Sequence, residues 1–290
     1  MTAPKGKLIP IGGSEARETS EEATNSEIRQ RDFFGSGILK TFLNEIDKSN
    51  PRIEVIPAAS EVPEEMGKQY EKAFSDLGVK KIHIMYIKDS ADADNPENLE
   101  RLEKADAVLF TGGDQTNLID KLLDTEFIKK LQDEYVNRDL VIAGTSAGAA
   151  AMSRLVIREG KSAESLIKGM VETEKGLSLL PGVIVDTHFM ERGRLPRLTE
   201  ALLRNPGLIG VGLCIDTGVV ITEGNKMRAI GSGGAFVVLT DESTYTNYHK
   251  VPEMESVYLD NLKVHILANG AGFLLNERQF VPSEPVSEVK

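Results

Sequence analysis

The 290 residues carry 45 acidic against 34 basic side chains, a net charge of −11, with 40% apolar and 27% charged residues. That balance fits a folded globular chain and excludes an intrinsically disordered one. The negative charge argues against nucleic acid as a partner, because such binders present a basic face. A lone cysteine, Cys214, leaves no internal disulfide to form. No run approaches the roughly 18 apolar residues of a membrane helix, and residues 1–7 lack an apolar leader core, so the expected location is cytoplasmic, without membrane contact.

Taken in order, residues 7–11 read as a strand ending in Gly12-Gly13, followed by a polar segment over 14–31 and a helix over 37–47. A strand (52–57), a helix (63–77), a strand (81–87), a charged helix (96–104) and a buried strand (107–110) come next. Gly112-Gly113-Asp114-Gln115 opens a helix over 117–123, and another runs to residue 138. The apolar run Leu140-Val141-Ile142-Ala143 is the next strand. Residues 157–174 read as polar and helix-compatible, 182–186 as a strand and 192–203 as a helix. From residue 210 onward the pattern is β: 218–222, a turn at 223–226, then 227–230, 235–240 and 262–267. Strands alternating with helices across short connections predict an α/β fold, a mainly parallel sheet with helices on both faces and an antiparallel C-terminal extension. Without a linker or a repeat, the expectation is a single domain over 1–290, with a core over about 5–208 and a β-rich extension over about 209–290.

Gly144-Thr145-Ser146-Ala147-Gly148 stands between the apolar run and Ala149-Ala150-Ala151. A G-x-S-x-G turn between a strand and a helix exposes its Ser above the sheet, and the amide that follows is placed to hold an oxyanion. Ser146 is thus the candidate nucleophile and Ala147 a candidate oxyanion donor. A Ser nucleophile needs a base, for which His is suited by a pKa near neutrality. Of the four histidines, His83, His249 and His265 read as ordinary surface or core residues. His188 closes the strand signal in Asp186-Thr187-His188 and is the candidate base. Arg192, Arg194 and Arg197 follow at once, a grouping suited to carboxylate. No phosphate-loop signature and no metal-ligand spacing is present, so neither cofactor nor metal is expected.

These motifs together, with Leu8-Ile9-Pro10-Ile11-Gly12-Gly13, Ile56-Pro57-Ala58-Ala59-Ser60 and Tyr245-Thr246-Asn247, resemble the cyanophycinase family of serine peptidases, which also holds aspartyl dipeptidase (peptidase E). The resemblance covers nearly the whole chain. It implies a class I glutamine-amidotransferase-like, flavodoxin-like fold and a homodimer. The implied substrate is cyanophycin, poly-aspartate with arginine amide-linked to each side chain, cut to β-Asp-Arg. It further implies an oxyanion hole from the amides of Gly113 and Ala147, and substrate contacts from Asp114, Gln115, Asp186, Thr187, Arg192, Arg194 and Arg197. An acidic surface suits a polymer bearing guanidinium groups.

Two departures stand out. Thr187 occupies a position where the family has Gln, and Ile215 stands where the family has the acid that orients the catalytic His. Asp216 is the nearest substitute, provided the chain is not extended there, because on a regular strand it points away from the side chosen by Ile215. Asp186 is the alternative. The rival readings are a peptidase E-type isoaspartyl or aspartyl dipeptidase and a non-catalytic binding homologue that has lost the acid.

Overall fold

β1 (Lys7–Ile11) is the middle of the fold, paired on one side in parallel with β5 (Val141–Thr145) and on the other antiparallel to β10 (Thr217–Thr222). The computed structural model describes residues 3–13, 37–161, 164 and 166–283. The polar segment expected over 14–31 lies outside the described residues.

Beyond β5 the parallel half of the sheet continues through β4 (Ala107–Phe110), β2 (Arg52–Ile56) and β3 (Lys81–Ile84). Beyond β10 the sheet is antiparallel, through β11 (Lys226–Gly231), β16 (Gly272–Leu274) and β17 (Gln279–Val281). The nine strands run in the order β17-β16-β11-β10-β1-β5-β4-β2-β3. Alternation along β1 divides the core: Leu8 faces one apolar cluster, while Ile9 and Ile11 face another.

On the Ile9 face lie α1 (Ile38–Asn44) and α2 (Pro63–Asp76), which contribute Leu39, Phe42, Tyr70 and Phe74. The Leu8 face is covered by α3 (Ser90–Ala93), α4 (Pro96–Lys104), α5 (Gln115–Leu122) and α6 (Glu126–Asn137). These helices start where the sequence supplies caps. Asn95 accepts from Glu97 N ahead of Pro96, Asp114 from Thr116 N, and Thr125 from Ile128 N. Helices therefore cover both faces, as the alternation predicts.

A second sheet was not foreseen. β8 (Val183–Thr187) does not join the main sheet; it pairs in parallel with β9 (Ile209–Leu213), followed antiparallel by β12 (Ala235–Leu239) and β15 (Lys263–Leu267). Its Val185, Val211 and Val237 pack into the cluster around Leu8. Both sheets draw strands from either side of residue 208.

The helix expected over 157–174 is corrected. Its described residues include β7 (Glu172–Lys175), which pairs antiparallel with β6 (Leu155–Glu159). Val156 and Ile157 are β-branched and buried, and a strand presents them better than a helix would. The expected helix over 192–203 is α8 (Leu195–Arg204); residues 192–194 close a turn before Pro196 enters the first turn of the helix. α7 (Ala147–Ala151) follows β5, and the short pair β13 (Tyr245–Thr246) and β14 (Leu259–Asp260) completes the described elements.

Candidate active site

Ser146 sits between β5 and α7 with φ +51 and ψ −111, a conformation that non-glycine residues rarely adopt. Its Oγ lies 3.1 Å from His188 Nε2. This is a hydrogen bond of the length expected between a nucleophile and its base. His188, just beyond β8, and Asp216, between β9 and β10, also have positive φ, at 45° and 50°. Strain held in three neighbouring polar residues is characteristic of functional sites, where surrounding contacts must maintain it.

The contacts come from the turn that closes β1. Ile11 O accepts from Ser146 N at 2.9 Å, Gly12 O from His188 N at 3.3 Å, and Gly13 O from Asp216 N at 3.2 Å. Three successive carbonyls thus gather three segments of chain that are 42 and 28 residues apart in sequence. Gly13 itself has φ +94, and a Cβ there would stand 2.9 Å from His188 Nε2 and 3.1 Å from the Ser146 Cβ. The sequence shows Gly12-Gly13 only as a strand end. Its signal was a glycine pair at the carboxyl edge of the central strand, the edge where ligands bind in parallel sheets.

Gly112 and Gly113 follow β4 beside Ser146; a Cβ on Gly112 would lie 3.6 Å from the Ser146 Cβ. Gly113 has φ +145, and a Cβ there would meet Ala59 O at 2.1 Å, so only glycine fits. The Ala147 amide belongs to the first turn of α7, whose amides have no intrahelical acceptor. Behind the elbow, burial pushes the Tyr70 phenol up, and its hydroxyl meets the Thr145 side chain.

The remaining site residues are placed as follows. Asp114 caps α5, its Oδ1 taking Thr116 N at 2.8 Å. Gln115 Nε2 donates to Ile157 O and Arg158 O, at 3.4 and 3.2 Å, and so braces β6. Asp186 is buried and accepts from Arg194 Nη1 at 3.1 Å, from Arg197 Nε at 2.7 Å and from Arg197 Nη2 at 2.5 Å. Thr187 N also donates to Asp186, and Thr187 O takes a second bond from Arg194 at 2.6 Å. Burial lowers the Arg194 pKa to about 10 against the pull of Asp186, so the guanidinium stays charged. One carboxylate between two guanidinium groups leaves this corner net positive. Arg192 lies exposed on the turn after His188. The buried Ile215 side chain offers no acid, but its amide donates to Glu191 Oε1 at 3.1 Å, a contact the sequence reading missed. The chain is not extended at Asp216, which removes the condition set on that residue by strand alternation.

Comparison with known proteins follows the same lines. The sequence model of peptidase family S51 matches residues 23–230. A cyanophycinase of Synechococcus elongatus is 34% identical over 275 residues, 95% of this chain and 81% of that protein. A cyanophycinase of Trichormus variabilis is 33% identical over 281 residues, 97% and 89% of the two chains. Among solved structures, a peptidase from an acI-B1 Actinobacterium superposes with a TM-score of 0.63 at 20% identity, covering 94% of this chain and 98% of that one. A putative peptidase E protein from Listeria monocytogenes EGD-e gives 0.51 at 16% identity, over 79% and 99%. The two structures show a shared fold. The sequence matches show the family: the chain belongs to peptidase family S51 and is a serine-type peptidase.

Proposed function

We propose that this peptidase hydrolyses cyanophycin to β-Asp-Arg dipeptides through an acyl-enzyme, and that it acts as one α/β domain in a cytoplasmic homodimer. The observation that carries the mechanism is the 3.1 Å contact between Ser146 Oγ and His188 Nε2 at a strained elbow. In this reading Ser146 Oγ attacks the backbone carbonyl carbon and its proton passes to His188 Nε2. The Gly113 and Ala147 amides hold the oxyanion. Collapse expels the amine, which takes the proton from His188. A water molecule then repeats the sequence in reverse to release the acid.

Asp216 is the proposed acid behind His188, with its backbone fixed on Gly13 O. Asp186 is less suited to that role because both its oxygens already serve arginines. The net positive corner of Asp186, Arg194 and Arg197, with Arg192 and Thr187 beside it, would hold the substrate's carboxylates. Gln115, its Nε2 engaged on β6, would offer its Oε1 to a substrate donor, while Asp114 shapes the loop that carries Gly113. The substrate is taken from the cyanophycinases at 33–34% identity over nearly the whole chain.

Turnover of purified cyanophycin measured beside aspartyl and isoaspartyl dipeptides tests the substrate. Hydrolysis of the polymer with little action on the dipeptides is expected. Hydrolysis of the dipeptides alone contradicts the proposal and favours a peptidase E-type activity. Polymer binding without hydrolysis favours a homologue that has lost catalysis with the acid.

A further inference from the structure

The turn that carries His188 is stitched to the end of β9 and the connection to β10 at three consecutive positions. Phe189 N donates to Leu213 O at 3.1 Å. The buried Cys214 thiol meets the backbone of Met190. Ile215 N donates to Glu191 Oε1 at 3.1 Å. Residues 189, 190 and 191 thus engage 213, 214 and 215 in step, and at the third position the direction reverses: the connection donates, and a side chain of the turn accepts. The next residue along the connection, Asp216, is fixed on Gly13 O, and Gly12 O holds His188 N. Glu191 thereby closes a ring of contacts: His188, its turn, Ile215, Asp216 and the Gly12-Gly13 carbonyls. Within that ring the site tolerates little displacement, because the Gly13 backbone packs directly against the imidazole.

We propose that Glu191 is a positioning residue for His188: its carboxylate fastens the base-bearing turn to the connection and holds the imidazole in register with Ser146. The inference rests on the Ser146–His188 reading given above. It also explains how a chain with Ile215 in place of an acid keeps that segment tied to the base, since the amide of residue 215 is engaged where its side chain cannot be. A glutamine at 191 keeps the oxygen acceptor but loses the charge, and an alanine loses both. The two variants therefore separate positioning from electrostatics.

The experiment follows Glu191→Ala and Glu191→Gln in the full chain, by kcat and KM on cyanophycin and by the rate of labelling with a serine-directed fluorophosphonate, with Ser146→Ala as control. For Glu191→Ala, kcat and labelling are expected to fall about 10- to 100-fold, the cost of a small misplacement of a catalytic group, with KM nearly unchanged. Glu191→Gln is expected to recover most of both. Wild-type kcat in Glu191→Ala overturns the proposal, as does a Glu191→Gln defect equal to that of alanine, which would assign the effect to charge. Labelling that persists in Ser146→Ala strikes instead at the nucleophile assignment, and so separates the two failures. Thermal unfolding of each variant checks that kcat is read on folded protein.

Discussion

Asp186 grips Arg197 with both carboxylate oxygens, at 2.7 Å to Nε and 2.5 Å to Nη2, eleven residues apart in sequence. Arg194 joins the same carboxylate. Two of the three arginines that look like a free clamp in the sequence are thus already oriented from within the protein, and only their excess charge faces outward. Such a cluster has two functions at once. It fixes the guanidinium planes, which in the proposed function would meet a substrate carboxylate, and it makes the turn after His188 depend on a buried acid.

Asp186→Ala leaves two largely buried guanidinium groups without their counter-charge. Breaking a buried ion pair from one side typically costs about 3–5 kcal/mol, and the lower part of that range is expected here because the arginine side chains remain 12–14% exposed. Urea unfolding gives the value. A loss below about 0.5 kcal/mol, the scale of an ordinary surface substitution, would show that the cluster holds nothing together.

Arg194→Ala removes a cation from the site and a bond to Thr187 O. A rise in KM or a loss of polymer binding is expected, by roughly tenfold or more for a charge-assisted contact of about 1.5–3 kcal/mol, together with a measurable loss of stability. Unchanged affinity with lowered stability would restrict Arg194 to a structural role.

Gly13→Ala places a methyl group 2.9 Å from His188 Nε2 at a backbone φ of +94. Strain of about 1–3 kcal/mol is expected from the conformation alone. Because the methyl meets both members of the proposed reacting pair, kcat is expected to fall about 100-fold or more. Steady-state kinetics on folded variant checks this, and a wild-type kcat would mean that the pair does not work in the geometry described.

How far the sequence discloses this site depends on how local each signal is. The elbow is legible because everything that makes Ser146 a nucleophile candidate lies within the twelve residues 140–151: an apolar strand, a glycine-flanked turn and a run of alanines. His188 is legible as the end of a strand signal. The sheet to which that strand belongs is not. Val183-Ile184-Val185 is an apolar run like Val108-Leu109-Phe110, and β-periodicity does not say which strand pairs with which. The helix expected over 157–174 failed for a related reason. Its polar composition is compatible with a helix, but the pairing of β6 with β7 and the burial of Val156 and Ile157 decide the matter through tertiary contact. The carbonyls of residues 11–13 carry no side-chain signature, so their role as the meeting point of Ser146, His188 and Asp216 appears only in three dimensions.

Glu200, on α8, is fully buried and accepts from Gly169 N and from Tyr248 Oη, both at 3.2 Å. Burial pushes its carboxyl above the ordinary value of 4.5. Between the unfolded and the raised folded value, the folded state holds a proton that the unfolded state lacks. Stability from this group is therefore fullest below the unfolded value and is lost as pH rises through the folded one. Glu200→Gln keeps an acceptor but does not titrate, so the variant is expected to gain on the wild type as pH rises. Urea unfolding of both proteins from about pH 5 to about pH 8 checks the sign. A wild type that gains on the variant with rising pH would contradict it.

The most direct test of the account is incubation of the purified protein with cyanophycin, with β-Asp-Arg release followed by mass spectrometry beside Ser146→Ala. Release by the wild type is expected, with a fall of at least about 10⁴-fold in the variant and polymer binding retained, as for loss of the nucleophile in other serine peptidases. Release that continues unchanged in Ser146→Ala would contradict the assignment of Ser146 and His188 as the reacting pair.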